Sequence, residues 1–388
     1  MKSKFYVSAI YTSPPNSMGG NTKILIEIIK NLSDKFDFII FTSEPETFRV
    51  NLKSKSKAKI ITIDYPFKKF NYLSHYSEIK HIKKIYEEYF SKNKIDKNDY
   101  IFTPSDFAPD VMPIYYLKKK YNFKWIASLF LFIPSPLENL LKNYKFPFIK
   151  YIIYYLYQKV IFRKMLSSAD LFLITNDYDR KYFPKKFENK ILAMYGGVNP
   201  EEIKMAKNKF NGKKIYDAVF CSRIHPQKGI SQLLDVWALV VKSIPKARFA
   251  IIGNGEKSYE KLLKNKAKRL GIDKNVKWLG YINGVDKYTI YLQSKIFLHG
   301  SIYDNNGMVA AEALCSGLTV VMYDLPQFKK IYNEGCIKVG NGDKLKFAII
   351  VINLIKNNKI NPSLKIQHKL IEYWNWKSRI QDFYNFLK

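Results

Sequence analysis

HGSIYDNNGMVAAEALCSGLTVVMY, residues 299–323, reads as strand, loop, helix and strand in turn. Met308 to Cys315 is built from good helix formers, and Gly317 suits the position just past a helix end. Asn305-Asn306-Gly307 forms a loop with little bulk at its tip. Backbone N–H groups at the start of the helix have no intrahelical acceptor, so they offer donors to an anion such as a phosphate. Asp304 lies just before the turn and Glu312 one to two turns inside the helix. Acids on either side of such a helix start can grip the hydroxyls of two sugars joined through a diphosphate. A helix with an acidic N-cap and a surface Glu is the plain alternative.

Outward from this stretch, the same alternation runs along the whole chain. Strand candidates in the first half are Phe5–Ile10, Phe38–Thr42, Tyr100–Thr103, Trp125–Phe132 and Leu171–Thr175. In the second half they are Asp217–Cys221, Arg248–Ile252, Val276–Leu279, Ile296–His299 and Thr319–Tyr323. Their apolar residues are continuous rather than alternating, as in strands buried on both faces of a parallel sheet. Helical stretches between them predict an α/β fold with open, doubly wound sheets. At 388 residues the chain has the length of two domains. The turn signals Gly196-Gly197 and Asn199-Pro200 place the hinge near mid-chain. In such sheets ligands bind outside the carboxyl ends of the strands.

Three further motifs fall at strand ends. CSRIHPQKGI, residues 221–230, puts Arg223 and Lys228 on one loop, where a guanidinium fork and an ammonium can neutralise a leaving diphosphate. Two solvated bases in a Lys-rich chain is the alternative. FAIIGNGE, residues 249–256, ends a strand in Gly253 and Gly255, which let backbone approach a flat ligand such as a base. A Gly-x-Gly is common at strand–turn junctions. PPNSMGGN, residues 14–21, sets Gly19 and Gly20 in a small-residue loop after the first strand, or in a plain turn.

Taken in this order, the pieces resemble the family 4 retaining glycosyltransferases of the GT-B fold. Gly19-Gly20 resembles the family's N-terminal Gly-Gly loop, and Ala169-Asp170 with LFLIT its last N-domain strand. Gly197-Val198-Asn199 is similar to its Gly-Val-Asp hinge, and SRIHPQKG to its Arg…Lys-Gly motif. Ser301-x-x-Asp304 with Gly307-x-x-x-x-Glu312 is similar to its Glu–seven residues–Glu signature, and YWNW at 373–376 to the start of its last helix. Asp304 stands where the signature has Glu, and Asn305-Asn306 where it has a Gly-aromatic pair; the region Trp125–Pro136 lacks a His often found there.

The resemblance implies two Rossmann-like parallel-sheet domains facing across a cleft. It places an acceptor-side domain at 1–198, a nucleotide-sugar domain at 199–365, and a C-terminal helix at 366–388 returning toward the first. Catalytic roles would fall to Arg223, Lys228 and Asp304: the two bases on the diphosphate, the acid on the donor sugar. Donor contacts would come from Gly19, Gly20, Gly253, Gly255, Asn306, Gly307, Met308 and Glu312, with Glu312 on the ribose. The expected activity is transfer of a hexose or related sugar from a nucleotide donor to a lipid-linked or glycan acceptor, with retention. The nucleotide sugar is a substrate; no cofactor and no metal are expected. A non-catalytic binding subunit of the same fold is the second reading.

Charge bears on partners. Lys and Arg total 65 against 33 Asp and Glu, a net +32. This favours anionic partners, or reflects compositional drift, since the lysines are scattered. Nucleic acid is the weakest of these, because no binding motif accompanies the charge. Leu137–Met165 carries Tyr, Phe and Ile with Lys150, Lys159, Arg163 and Lys164, which suits an interfacial helix on an anionic membrane or a buried helix with solvated lysines. The N-terminal residues read as a first strand rather than a signal peptide, and three scattered cysteines suit a reducing compartment. The expected location is cytoplasmic, docked peripherally on the inner face. Asp177-Tyr178-Asp179 matches a metal-binding Asp-x-Asp, yet three residues match often by chance, and the five histidines show no ligand spacing.

Overall fold

A computed structural model describes residues 2–14, 18–52, 56–64, 75–137, 148–357 and 364–388. It resolves into two units: Met1–Tyr195 with Ile380–Lys388, and Gly196–Arg379.

In unit 1 the chain order is β1 (Lys4–Ala9), α1 (Gly20–Leu32), β2 (Asp37–Thr42), α2 (Pro45–Leu52), β3 (Lys59–Thr62), α3 (His75–Lys92), β4 (Tyr100–Thr103) and α4 (Ala108–Lys118). It continues through β5 (Lys124–Leu129), α5 (Phe148–Ser168), β6 (Leu171–Ile174) and β7 (Ile191–Ala193). The seven strands lie in the order β3-β2-β1-β4-β5-β6-β7, all parallel. The order reverses between β1 and β4. Helices on the two faces bury the strands, which is why β1, β2, β4 and β5 are runs of apolar residues. Phe5, Phe36, Phe38 and Tyr100 pack ring against ring on one face, and Phe383 joins them. Each such side chain fully removed from water contributes about 1.5–3 kcal/mol.

Unit 2 repeats the plan. Its elements are α6 (Pro200–Lys209), β8 (Tyr216–Cys221), α7 (Ile230–Ser243), β9 (Phe249–Ile252), α8 (Lys257–Arg269) and β10 (Val276–Gly280). There follow α9 (Gly284–Leu292), β11 (Ser294–His299), α10 (Met308–Cys315), β12 (Thr319–Tyr323), β13 (Cys336–Val339), α11 (Lys344–Asn357) and α12 (Leu364–Tyr373). The six parallel strands are ordered β10-β9-β8-β11-β12-β13, with the reversal between β8 and β11. The last helix, α13 (Trp376–Leu387), begins among the residues of unit 2 and ends among those of unit 1.

Strands β3, β7 and β13 escape a reading of apolar runs. All three are edge strands of three or four residues, and none presents a continuous buried run. The single helix expected over 366–388 is instead two. The chain breaks at Trp374-Asn375, where the Val198 amide donates to the Trp374 carbonyl (2.7 Å) and the Trp376 amide to the Val198 carbonyl (3.3 Å). Asn375 Oδ1 then accepts from the Lys377 amide at 2.9 Å, starting the new helix. Trp374 stacks on Tyr332 at 5.4 Å, so unit 2 runs on to Arg379 rather than ending at 365. Of the Leu137–Met165 stretch, residues 138–147 lie outside the described residues, as does the side chain of Lys150.

Candidate active site

The reversal between β8 and β11 brings together the chain's two most informative stretches. Cys221 ends β8 and leads to Ser222 and Arg223; His299 ends β11 and leads to Gly300 and Ser301. After Arg223 a short 3-10 turn, Pro226–Lys228, is capped by His225, whose Nδ1 accepts from the Gln227 amide at 3.3 Å. Gly229 follows with φ +67°, and a Cβ there would lie 1.7 Å from the Gly300 carbonyl oxygen. Only glycine allows this approach, and it sets Lys228 beside the loop after β11.

Lys228 Nζ lies 2.6 Å from Asp304 Oδ2. The same oxygen accepts from Ser301 Oγ at 2.9 Å and lies 3.5 Å from His299 Nε2; Oδ1 accepts from the Asn305 amide at 2.9 Å. Burial alone would raise the Asp304 carboxyl, but Lys228 and His299 hold it well below the usual carboxylate range. Asp304 is therefore an anion locked against a cation. Arg223 is exposed and forms no ion pair among the described residues. Burial and the nearby charges of Arg223 and Lys228 push the His225 imidazole below its ordinary value, so it stays neutral at neutral pH.

Gly307 takes φ +57° at the start of α10, and its carbonyl accepts from the Ala310 amide at 2.7 Å. The Tyr332 hydroxyl meets the carbonyl oxygens of Asn306 and Gly307 at 2.7 and 2.9 Å, fixing the turn from behind. The amides of Met308 and Val309, which precede that bond, have no intrahelical acceptor. Asn306 is 7% exposed, and neither Oδ1 nor Nδ2 has a partner among the described residues. Gly196 packs beneath Met308, where a Cβ would fall 2.1 Å from Sδ. Farther into the helix, Glu312 is buried, with Oε1 2.7 Å from Lys287 Nζ and Oε2 without a partner. Buried polar atoms without partners are costly, and Asn306 presents them just before this helix and Glu312 within it.

Gly253 and Gly255 have a requirement within the protein. A Cβ on Gly253 would lie 1.8 Å from the Ser222 carbonyl oxygen, and one on Gly255 2.1 Å from that of Ile224. The Ile224 amide donates to the Asn254 carbonyl at 2.8 Å, so the Gly-Asn-Gly turn braces the Arg223 loop. In unit 1, Gly19 is the N-cap of α1 and Gly20 its first residue. The Gly19 amide donates to Ser13 Oγ (2.9 Å), and the Ser13 amide to Thr22 Oγ1 (3.2 Å); residues 15–17 of that loop lie outside the described residues.

The Asp-x-Asp acids have local work. Asp177 takes the Tyr195 hydroxyl at 2.7 Å and Arg180 Nε at 2.8 Å, while Asp179 accepts from Asn176 Nδ2 at 2.9 Å. Among the described residues no group of three or more His, Cys, Asp and Glu is placed to hold a metal ion. Burial pushes the Cys221 thiol up to about 11, which keeps it protonated at neutral pH.

Motif reading missed Lys287, His299 and Tyr332. Lys287 did leave a signal: in α9 the buried positions are 287, 288, 291 and 292, so a lysine falls on the apolar face. His299 and Tyr332 carry no motif of their own and acquire roles only through the turn they enclose.

Residues 200–373 match the family model described as "Glycosyl transferases group 1". Among curated relatives, the mannosylfructose-phosphate synthase of Agrobacterium fabrum is 28% identical over 43% of this chain and 38% of its own length. The phosphatidyl-myo-inositol mannosyltransferase of Mycobacterium leprae is 24% identical over 48% of this chain and 50% of its own. The chain thus spans half or less of these relatives. Likeness of fold extends further. Anabaena HepE, solved with UDP and glucose, superposes with a TM-score of 0.73 at 16% identity, covering 100% of this chain and 99% of that one. Sucrose-phosphate synthase of Thermosynechococcus elongatus gives 0.75 at 14% identity, covering 98% of each. Residues 200–373 are thus similar to the group 1 glycosyl transferases, and the two parallel sheets have the GT-B fold.

Proposed function

We propose that the chain transfers a sugar from a nucleoside diphosphate donor to a lipid-linked or glycan acceptor, with retention at the anomeric carbon, and that unit 2 holds the donor. The observation that carries this reading is the Lys228–Asp304 pair at 2.6 Å, set beside a helix start where Asn306 and Glu312 keep unpartnered polar atoms. A nucleoside diphosphate sugar offers what those atoms lack: hydroxyls for carboxylates, and phosphate oxygens for ammonium, guanidinium and amides.

In this reading Glu312 Oε2 receives a ribose hydroxyl. Arg223, Lys228 and the amides around Gly307 and Met308 face the diphosphate. Asp304 is the proposed contact for the sugar's hydroxyls and also orients Lys228. As the bond from the anomeric carbon to the phosphate oxygen breaks, its electron pair goes to the diphosphate. Preformed positive groups stabilise that growing charge, so no metal is required. The acceptor hydroxyl then bonds to the anomeric carbon on the same face and gives its proton to a phosphate oxygen. A relative that has lost catalysis would have little reason to keep Arg223, Lys228, Asp304 and Glu312 around one turn.

The lipid-linked acceptor is supported by α5. Its exposed positions include Ile153, Leu156, Lys159, Val160 and Arg163, spaced along one face, while Tyr151, Gln158, Ile161 and Met165 are buried on the other. Apolar side chains flanked by cations suit an anionic leaflet. No helix among the described residues is long and apolar enough to cross a membrane. Vesicle co-sedimentation tests docking: binding that needs anionic lipid, fades at high salt and drops when Lys159, Arg163 and Lys164 are neutralised supports it. Indifference to lipid charge removes it and leaves the transferase reading standing. A donor screen across UDP-, GDP- and ADP-sugars, with product analysis, tests the main reading; absence of binding to all of them by calorimetry ends it.

A further inference from the structure

We infer that Lys287 is a positioning residue: it fixes Glu312 so that a single carboxylate oxygen, Oε2, is left to read one ribose hydroxyl of the nucleotide. The inference rests on the donor reading above and adds a residue to it.

Lys287 is 7% exposed. A lysine is rarely buried without a paired anion, because desolvating an ammonium costs several kcal/mol. Its Nζ lies 2.7 Å from Glu312 Oε1 and 4.8 Å from the ring centroid of Tyr288, and it forms no other ion pair among the described residues. The lysine comes from α9 and the glutamate from α10, so the pair fixes the carboxylate's rotation from outside its own helix. Within that carboxylate, Oε1 is engaged and the buried Oε2 has no partner among the described residues.

Asp304 provides the contrast, since one of its oxygens gathers Lys228, Ser301 and His299 while the other takes the Asn305 amide. Each oxygen of Asp304 already has a partner within the chain, whereas one oxygen of Glu312 has none among the described residues. An unanchored glutamate would turn either oxygen, or both, toward the ligand, and would give up orientational selectivity for the hydroxyl. With the ammonium in place only one acceptor is offered, in one direction. A donor hydroxyl that reaches it makes a charge-assisted bond of about 1.5–3 kcal/mol, roughly 10- to 100-fold in affinity.

The test is calorimetric titration of the intact chain with UDP, GDP and ADP, with the 2′-deoxy and 3′-deoxy forms of whichever binds, and with inorganic pyrophosphate. Wild type is expected to bind one deoxy form roughly 10- to 100-fold more weakly than its parent. Lys287→Met should weaken the parent nucleotide by about as much, lose the discrimination, and keep pyrophosphate affinity. Glu312→Gln and Lys287→Met/Glu312→Gln should bind the parent alike, because the lysine acts only through the glutamate. The double variant also removes both buried charges together, which guards against failure to fold. Retained discrimination in Lys287→Met overturns the inference, as do additive losses in the double variant or a parallel loss of pyrophosphate binding. If wild type binds none of the three nucleotides, the donor reading itself falls and takes this inference with it.

Discussion

The two units share a strand order at their reversal points and treat the polar groups there in opposite ways. In unit 1, between β1 and β4, the buried Asp110 accepts from the Ile10 amide at 2.6 Å and bonds Ser105 Oγ; Ser8 Oγ in turn bonds the Asp110 carbonyl at 3.1 Å and the Tyr86 hydroxyl at 2.7 Å. Every partner is another part of the same unit, and the carboxylate ties β1 to the start of α4. In unit 2, between β8 and β11, Arg223 forms no ion pair among the described residues, and Glu312 and Asn306 keep buried atoms without partners. Topology supplies a place for a ligand; whether the residues there are closed on themselves or left open decides which reversal point is used.

The largest effect should come from the open site. Lys228→Ala is expected to lower turnover about 100-fold or more, because charge on the leaving diphosphate grows as the bond breaks. It also strands the buried Asp304, so unit 2 should lose about 3–5 kcal/mol of stability, read separately by thermal melting. Steady-state kinetics at saturating donor checks the first; an effect confined to KM would move Lys228 out of the chemistry.

Glu312→Ala should come next, weakening nucleotide binding roughly 10- to 100-fold with little change in turnover, since a ribose contact is made equally before and during reaction. Equal and small effects of Lys228→Ala and Glu312→Ala would erase the division of roles.

The smallest functional effect belongs to the closed site. Burial pushes the Asp110 carboxyl up from 3.8 to about 7; the Ser105 hydroxyl and the Ile10 and Tyr11 amides oppose the rise, and the Asp106 charge adds to it. A folded-state pKa above the unfolded one means that the folded form binds the proton more tightly. That stabilisation is full below about pH 3.8 and is lost as pH rises to about 7. Each pH unit between the two pKa values corresponds to about 1.4 kcal/mol, so the loss is a few kcal/mol. Asp110→Asn should flatten the fall in melting temperature between pH 4 and 7, by roughly 2–4 °C per kcal/mol, and leave donor affinity unchanged. A large drop in donor affinity would show that unit 1's reversal point is not closed.

Sequence carried the fold well where strands are buried on both faces and poorly at the sheet edges, where β3, β7 and β13 are only three or four residues long and too short to stand out. The acids and bases of the proposed donor site were legible because they cluster within two short stretches of sequence, 223–228 and 304–312. Their pairing was not. Lys228 and Asp304 are 76 residues apart, and Lys287 and Glu312 are 25, so each pair exists only after β11 is laid beside β8 and α9 beside α10. Gly253 and Gly255 teach the converse. They read as an opening for a ligand, and the structure adds a need within the protein, since a Cβ on either would strike the carbonyl oxygen of Ser222 or Ile224.

Hydrogen exchange on the intact chain with saturating UDP, GDP or ADP tests most directly whether the open reversal point is the nucleotide site. The expected result is slowed exchange across residues 222–229 and 300–312 with at least one of the three, and unchanged exchange across 104–110. Protection at 104–110 with 222–229 and 300–312 unaffected, or no protection with any nucleotide, would contradict it.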